Sequence, residues 1–131
     1  MPDHAVVVDA SAIVEILTAG GLAEAVDRRM ADHTLHAPAH LDAEVLSALG
    51  RLHRARIVSA RLVSSRIAAL AVAPIERHPL PPLLAGAWKR RGNLRLVDAL
   101  YAELSAQLHL PLITTDRGLA AAVASAELIE D

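Results

Sequence analysis

The alternation of short apolar runs with longer helical segments is the feature that most constrains the fold of this chain. The run "AVVV" (5–8) is rich in β-branched residues, and "SAIVEIL" directly after Asp9 has its apolar residues at helical spacing. The run "LPLITTD" (110–116) is followed in the same way by the helical segment "RGLAAAVAS". Strands joined by helices require crossover connections, so the pattern predicts an α/β fold with a mostly parallel sheet covered on both faces.

The remaining segments continue this pattern. Further strands are predicted at "TLHA" (34–37) and near "AELIE" (126–130), and the proline-rich "APIERHPLPP" (73–82) is expected to hold one edge strand. Helices are predicted over "LAEAVDRRM", "AHLDAEVLSALGRLHR", "SARLVSSRIAALAV", "LLAGAWKRR" and "LRLVDALYAELSAQLHL".

Length and composition limit the class of protein. A chain of 131 residues suits one domain, and the absence of Cys excludes disulfides and thiolate metal sites. The apolar runs are shorter than a membrane helix requires, and the chain starts without a signal-peptide pattern. We therefore expect a single domain over residues 1–131 that is cytoplasmic and has no membrane partner.

Charge is strongly segregated along the chain. Residues 51–95 carry ten basic residues against one acid, Glu76, whereas residues 1–50 carry two basic and eight acidic residues. Two interpretations stay open: the segments neutralise one another, or a cationic surface flanks an anionic pocket.

Four acids are candidates for that pocket. Asp9 and Asp116 each follow a predicted strand, and ligand sites of open parallel sheets lie beyond the carboxyl ends of the strands. Glu44 and Asp98 can reach the same crevice from neighbouring helices. Carboxylates gathered without a nearby Lys or Arg repel one another by several kcal/mol at an effective dielectric constant of about 20. Oxygen ligands without Cys or a paired His motif select a hard cation such as Mg²⁺ or Mn²⁺.

A plainer interpretation exists for each of these acids taken singly. Asp9, Asp98 and Asp116 lie where helix capping or the helix dipole favours an acid, and Glu44 suits a solvated helix face. Capping does not explain why two apolar strands both deliver an acid to the same edge of one sheet, so the joint pattern favours a metal site. Histidines are interpreted as structural or surface residues, and this applies to His36, His40, His53 and His109.

The blocks "VVVDASAIVEIL", "APAHLDAEVLSALGRL" and "LRLVDALYAELSAQLHLPLITTDRGLA" resemble, in this order, the PIN-domain ribonucleases, and most closely the VapC toxins of bacterial toxin–antitoxin systems. The resemblance implies a PIN-like three-layer α/β/α sandwich with a central, mostly parallel sheet of four or five strands. It also implies a metal site formed by acids that match Asp9, Glu44, Asp98 and Asp116. Ser11 and Thr115 match supporting hydroxyl residues.

By this resemblance the chain is a Mg²⁺- or Mn²⁺-dependent endoribonuclease and the toxin of a type II module. Asp9, Asp98 and Asp116 would hold the metal, and Glu44 or Asp98 would take a proton from the attacking water. The implied partners are RNA, a VapB-type antitoxin and a second copy of the chain. The antitoxin and the second copy are expected to bind part of the apolar surface of residues 22–30 and 59–72. The candidate RNA-binding residues are Arg51, Arg54, Lys89, Arg90, Arg91 and Arg95.

Two alternatives differ in chemistry. An aspartate-based phosphotransferase uses a D-x-D pair after its first strand, where this chain has Asp9 and Ser11. A catalytically silent PIN-fold binding module would need none of the acids, yet all four are present.

Overall fold

A five-stranded parallel sheet forms the centre of the computed structural model, which describes residues 4–130. The spatial order of the strands is β3-β2-β1-β4-β5, and every neighbouring pair is parallel. The predicted α/β fold is confirmed, and the proline-rich segment supplies an edge strand as expected. The strands are β1 (Ala5–Val8), β2 (Thr34–Pro38), β3 (Ile75–His78), β4 (Leu112–Thr114) and β5 (Ala126–Leu128).

Seven helices cover the sheet within the described range, and each coincides with a predicted segment. Asp9, Ser59 and Asp116 cap three of them through side-chain oxygens that accept a backbone N–H, and prolines begin a fourth. The helices are α1 (Ala10–Leu17), α2 (Ala23–Met30), α3 (Leu41–Arg54), α4 (Ala60–Ala71), α5 (Pro81–Lys89), α6 (Leu96–Leu108) and α7 (Arg117–Ala122).

The helices form two layers, one on each face of the sheet. α1 packs against α2 and α3, and α3 packs against α4, whereas α5 packs against α6, which lies on β1 and β2. Right-handed crossovers explain this division, because the chain moves in one direction from β1 to β3 and then reverses to reach β4. The result is the three-layer α/β/α sandwich that was predicted.

Small aliphatic side chains build the core, since the sequence contains no Phe. Val6, Val7 and Val8 are all fully buried, because helices cover both faces of β1. Among residues 4–130, no helix combines the length and apolarity that crossing a bilayer requires.

Exposed apolar side chains lie partly elsewhere than predicted. Ile67 of α4 is exposed. The apolar face of α2, in contrast, packs inside the protein, because Val26 is fully buried and Met30 packs on the core. The expectation of a free apolar face on residues 22–30 is wrong, because α2 packs against α1. The large apolar side chains that are exposed in the described residues are Leu46, Ile57, Ile67, Val72, Leu84, Trp88, Leu96 and Val97.

β1 and β4 are neighbours although about a hundred residues separate them. The connections run away from β1 in opposite directions on its two sides, which makes the gap beyond β1 and β4 the switch point of this sheet. A crevice therefore opens at the carboxyl ends of these two strands, where the chain places Asp9 and Asp116.

Candidate active site

One cleft at this switch point contains all four predicted acids. It lies beyond β1 and β4 and is bordered by α3 and the start of α6. We call it the acidic cleft, and its lining includes Asp9, Ser11, Glu15, Glu44, Arg51, Arg95, Asp98, Tyr101, Thr115 and Asp116.

Asp9 is the most buried acid of the cleft, with only 5% of its surface exposed. Its Oδ1 accepts hydrogen bonds from Ser11 Oγ at 2.7 Å and from the Ala12 amide at 3.1 Å, and its Oδ2 accepts one from Thr114 Oγ1 at 2.6 Å. Burial raises the pKa of Asp9 to about 6, and the charge of Asp116 adds to the rise, whereas these hydrogen bonds limit it. Asp9 therefore carries a charge that its protein neighbours do not fully compensate.

A hydroxyl network joins the two strand ends. Ser11 Oγ accepts a hydrogen bond from the Thr115 amide at 3.0 Å, and Thr114 Oγ1 accepts one from the Asp116 amide at 2.9 Å. Thr115 was predicted as the supporting hydroxyl, but the hydroxyl on Asp9 belongs to Thr114, and Thr115 supports Ser11 through its backbone. Thr114 ends β4 with its hydroxyl on Asp9, whereas Thr115 follows the strand and lines the acidic cleft.

Asp116 has two roles in the geometry of the cleft. Its Oδ1 accepts a hydrogen bond from the Leu119 amide at 3.1 Å, which caps α7. The same side chain lines the acidic cleft. Asp9 likewise caps α1 while it lines the cleft, so the capping interpretation and the cleft interpretation both describe these residues.

Glu44 is held by two aromatic residues that sequence reasoning did not assign to the site. Tyr101 donates its hydroxyl to Glu44 Oε1 at 2.7 Å, and burial together with this hydrogen bond raises the pKa of Tyr101. His40 Nε2 lies 3.3 Å from Glu44 Oε1 and 2.9 Å from the Val97 carbonyl oxygen, and its ring packs on Tyr101. The spacing of four residues between His40 and Glu44 was a usable signal, whereas Tyr101 resembled an ordinary core residue.

Asp98 is paired with an arginine. Arg95 Nε lies 3.0 Å from Asp98 Oδ2, and Arg95 Nη2 lies 3.3 Å from Asp98 Oδ1. This pairing raises the pKa of Arg95, with smaller contributions from Glu44 and Asp116. The prediction that the acids gather without a nearby Lys or Arg is therefore wrong for Asp98. Arg95 directly precedes α6, and its side chain pairs with Asp98 in the first turn of that helix.

Two of the six predicted RNA-binding residues border the acidic cleft. Arg51 and Arg95 line it, and both also line a second hollow beside Glu44. The other four lie outside the lining of both. Arg54 is exposed at the end of α3, and the remaining three lie at the end of α5, where Arg90 pairs with Glu103 and Arg91 stacks over Trp88.

The donor set suits a hard divalent cation. Carboxylate oxygens line a cleft in which the charge of the buried Asp9 is only partly compensated, and Mg²⁺ and Mn²⁺ prefer oxygen ligands. No three of the four acids have ligand atoms within 4.8 Å of one another in this conformation. Asp98 is turned toward Arg95 and Glu44 toward Tyr101, so rotation of these side chains would be needed for them to share an ion.

Sequence comparisons find close relatives. A family model described as the PIN domain matches residues 6–124. Ribonuclease VapC3 of Mycobacterium tuberculosis is 50% identical over 129 residues, which is 98% of this chain and 94% of that protein. Ribonuclease VapC12 of the same organism is 35% identical over 88% of this chain and 89% of its own length.

Solved structures share the fold. PAE2754 from Pyrobaculum aerophilum superimposes with a TM-score of 0.67 at 26% identity, over 93% of this chain and 81% of that one. The sarcin-ricin loop cleaving toxin VapC20 of Mycobacterium tuberculosis superimposes with a TM-score of 0.69 at 17% identity, over 90% of this chain and 95% of that one. The arrangement of layers and strands is therefore shared across relatives of low sequence identity.

Proposed function

This chain belongs to the PIN-domain family and within it to the VapC ribonucleases, and from that premise we propose that it is an endoribonuclease that acts as the toxin of a type II toxin–antitoxin module. The observation that carries the proposal is the meeting of Asp9, Glu44, Asp98 and Asp116 in one cleft at the switch point of the sheet. We also propose that residues 1–131 form a single PIN domain.

We propose that Asp9, Asp98 and Asp116 hold a Mg²⁺ or Mn²⁺ ion. When bound, such an ion polarises the scissile phosphodiester and lowers the pKa of a coordinated water. Asp98 would have to turn away from Arg95 to join Asp9 and Asp116 at such an ion. The PIN-domain relationship supports a divalent metal, and the donor set of the cleft supports a hard one.

The chain's own residues would orient and deprotonate the reactants. Ser11 and Thr114 fix both oxygens of Asp9, so this carboxylate keeps one orientation. Glu44 has one oxygen engaged by Tyr101, and its second oxygen is available to accept a proton from the attacking water. Asp98 is the alternative proton acceptor, and all four acids are proposed as catalytic.

RNA phosphates would contact the basic rim of the acidic cleft. Arg51 and Arg95 are proposed as the inner contacts because they border the acids, and the Arg95 side chain is 72% exposed. Arg54, Lys89, Arg90 and Arg91 are proposed as outer contacts along the backbone of a longer RNA. The near absence of aromatic residues argues against base stacking as the main contribution to affinity.

Two protein partners are proposed. A VapB-type antitoxin is expected because the chain belongs to the VapC ribonucleases. A homodimer is supported by the exposed apolar group of Leu84, Trp88, Leu96 and Val97, which lies between α5 and α6. A cytoplasmic location follows from the proposed substrate, since cellular RNA is found there.

RNA cleavage by the purified protein tests the proposal. We expect a structured RNA to be cut in Mg²⁺ or Mn²⁺, with no cleavage in EDTA and at least a hundredfold loss in Asp9→Asn. The matched control is Asp27→Asn, which changes an exposed acid of α2 and should keep wild-type activity. Undiminished cleavage by Asp9→Asn or in EDTA would contradict the metal-dependent mechanism.

The same preparations separate the alternatives. Metal-bound protein that binds RNA without cutting it would identify a silent binding module, and phosphate incorporation at Asp9 would identify a phosphotransferase. Expression without a partner should arrest growth if the chain is a toxin. Normal growth at high expression, together with RNA cleavage in vitro, would reject the toxin role and keep the ribonuclease.

A further inference from the structure

Three side chains with metal-ligating groups converge at the sheet edge formed by β2 and β3. His36 lies on β2, and Glu76 and His78 lie on β3. His36 and Glu76 are register partners, and His78 follows two residues later, so all three project from the same face of the sheet. None of them lines the acidic cleft.

The ligand atoms are close enough to share one ion. His36 Nδ1 lies 2.9 Å from His78 Nε2 and 3.5 Å from Glu76 Oε2, and all three ligand atoms lie within 4.8 Å of one another. Ligands bound tetrahedrally to Zn²⁺ at about 2.0–2.1 Å are about 3.3 Å apart. The two histidine rings would need to separate by only a few tenths of an ångström, a shift that side-chain torsions can supply.

The contact between the two imidazoles prepares the site chemically. At 2.9 Å one ring nitrogen donates its hydrogen to the lone pair of the other. That hydrogen can move to the far nitrogen of its own ring by tautomerisation, which leaves lone pairs on both facing nitrogens beside the carboxylate of Glu76. A metal ion can take the place of the hydrogen between the two rings, because metal ligation requires neutral imidazole and ionised carboxylate.

The donor set selects a different metal from that of the acidic cleft. Imidazole nitrogen favours Zn²⁺, Ni²⁺ and Cu²⁺, whereas oxygen-only sites favour Mg²⁺ and Mn²⁺. The Glu76 side chain is 62% exposed, and β3 is one of the two edge strands of the sheet. Three protein ligands at an accessible edge leave a coordination position for water or for a group from another molecule.

We propose that His36, Glu76 and His78 form a second metal site, specific for a transition-metal dication of the Zn²⁺ class and separate from the acidic cleft. The bound ion cross-links β2 and β3 through residues that are 42 positions apart. It therefore stabilises the edge strand. The proposal does not depend on ribonuclease activity.

Calorimetric titration of the metal-depleted full chain with ZnCl₂ in excess Mg²⁺ tests the site. We expect about one Zn²⁺ per chain, unchanged in Asp9→Asn, and at least about a tenfold weaker affinity in His36→Gln and in His78→Gln. His53→Gln is the matched control and should bind like the wild type. Zn²⁺ should also raise the Tm of the wild type and of His53→Gln but not that of His78→Gln.

Glu76→Gln is a further variant, and it should fold because the Glu76 side chain is largely exposed. It keeps the test valid if a histidine variant fails to fold. It should weaken Zn²⁺ binding while keeping the wild-type Tm without metal. Co²⁺ substituted into the wild type should give visible ligand-field absorption that is lost in His78→Gln. Zn²⁺ affinity that is unaffected by all three substitutions, or that disappears in Asp9→Asn, would overturn the proposal.

Discussion

Substitution of Asp9 by Asn should stabilise the metal-free protein at neutral pH, although it should abolish activity. The pKa of Asp9 is about 6 in the folded chain against an ordinary value of 3.8. The folded state therefore binds a proton more tightly than the unfolded state between pH 4 and 6, and stability falls as pH rises through this range. Above about pH 6 Asp9 is ionised in both states, and its burial then destabilises the folded protein by the full amount that the pKa difference represents.

The pKa difference sets the size of the effect. At 1.36 kcal/mol per pKa unit, the shift corresponds to about 3 kcal/mol of destabilisation at pH 7.5. Asn cannot ionise, but its amide replaces a carboxylate that accepts hydrogen bonds on both oxygens. We therefore expect a net gain of about 1–3 kcal/mol in the free energy of unfolding at pH 7.5, and a value about 2.5 kcal/mol lower at pH 4, where folded Asp9 is protonated.

Urea denaturation in EDTA at several pH values between 4 and 8 measures this difference. Other acids titrate in the same range, but their contributions largely cancel between wild type and mutant. Asp27→Asn serves as the control because it changes an exposed acid of α2 that lies outside the acidic cleft. Added Mg²⁺ should stabilise the wild type and leave Asp9→Asn unchanged. A mutant that is less stable than the wild type by the same amount at every pH would refute the reasoning.

Three further substitutions test other parts of the structure. Tyr101→Phe removes the hydroxyl donated to Glu44 and should cost about 1.5 kcal/mol in urea denaturation and lower the rate of RNA cleavage. Arg77→Ala removes the guanidinium that binds Asp42 and three backbone carbonyl oxygens, and should cost about 3 kcal/mol in the same assay without changing Mg²⁺ affinity. His109→Gly places glycine, which adopts left-handed backbone angles without strain, at the left-handed position (φ 55°) that ends α6. It should raise the free energy of unfolding by about 0.5–1 kcal/mol, seen as a higher Tm. An unchanged or lower Tm would contradict this.

The order and type of the elements were predictable from sequence because they depend on local properties. The β-branched run of β1, the helical spacing after it and the capping residues at Asp9 and Asp116 all act within a few residues of chain. The placement of acids at strand ends also followed from sequence, since the carboxyl ends of parallel strands share one edge. Even the edge position of β3 was indicated by the prolines around it.

The partners of individual side chains were decided by the tertiary structure. The hydrogen bond from Thr114 to Asp9 joins residues 105 positions apart and depends on the pairing of β1 with β4. The pairing of Arg95 with Asp98 depends on side-chain torsions that periodicity does not report. Tyr101 looks like a core residue in sequence, and only the folded chain brings its hydroxyl to Glu44, 57 residues away.

The histidines show the same division most clearly. In sequence, His36 has no partner at metal-ligand spacing, because Pro38 prevents a helical pair with His40. His78 lies 42 residues away and becomes its neighbour only when β2 and β3 pair in register. Hydrophobic spacing determines that strands form and bury their apolar residues, but strand order and register determine which polar groups meet, and those are properties of the assembled sheet.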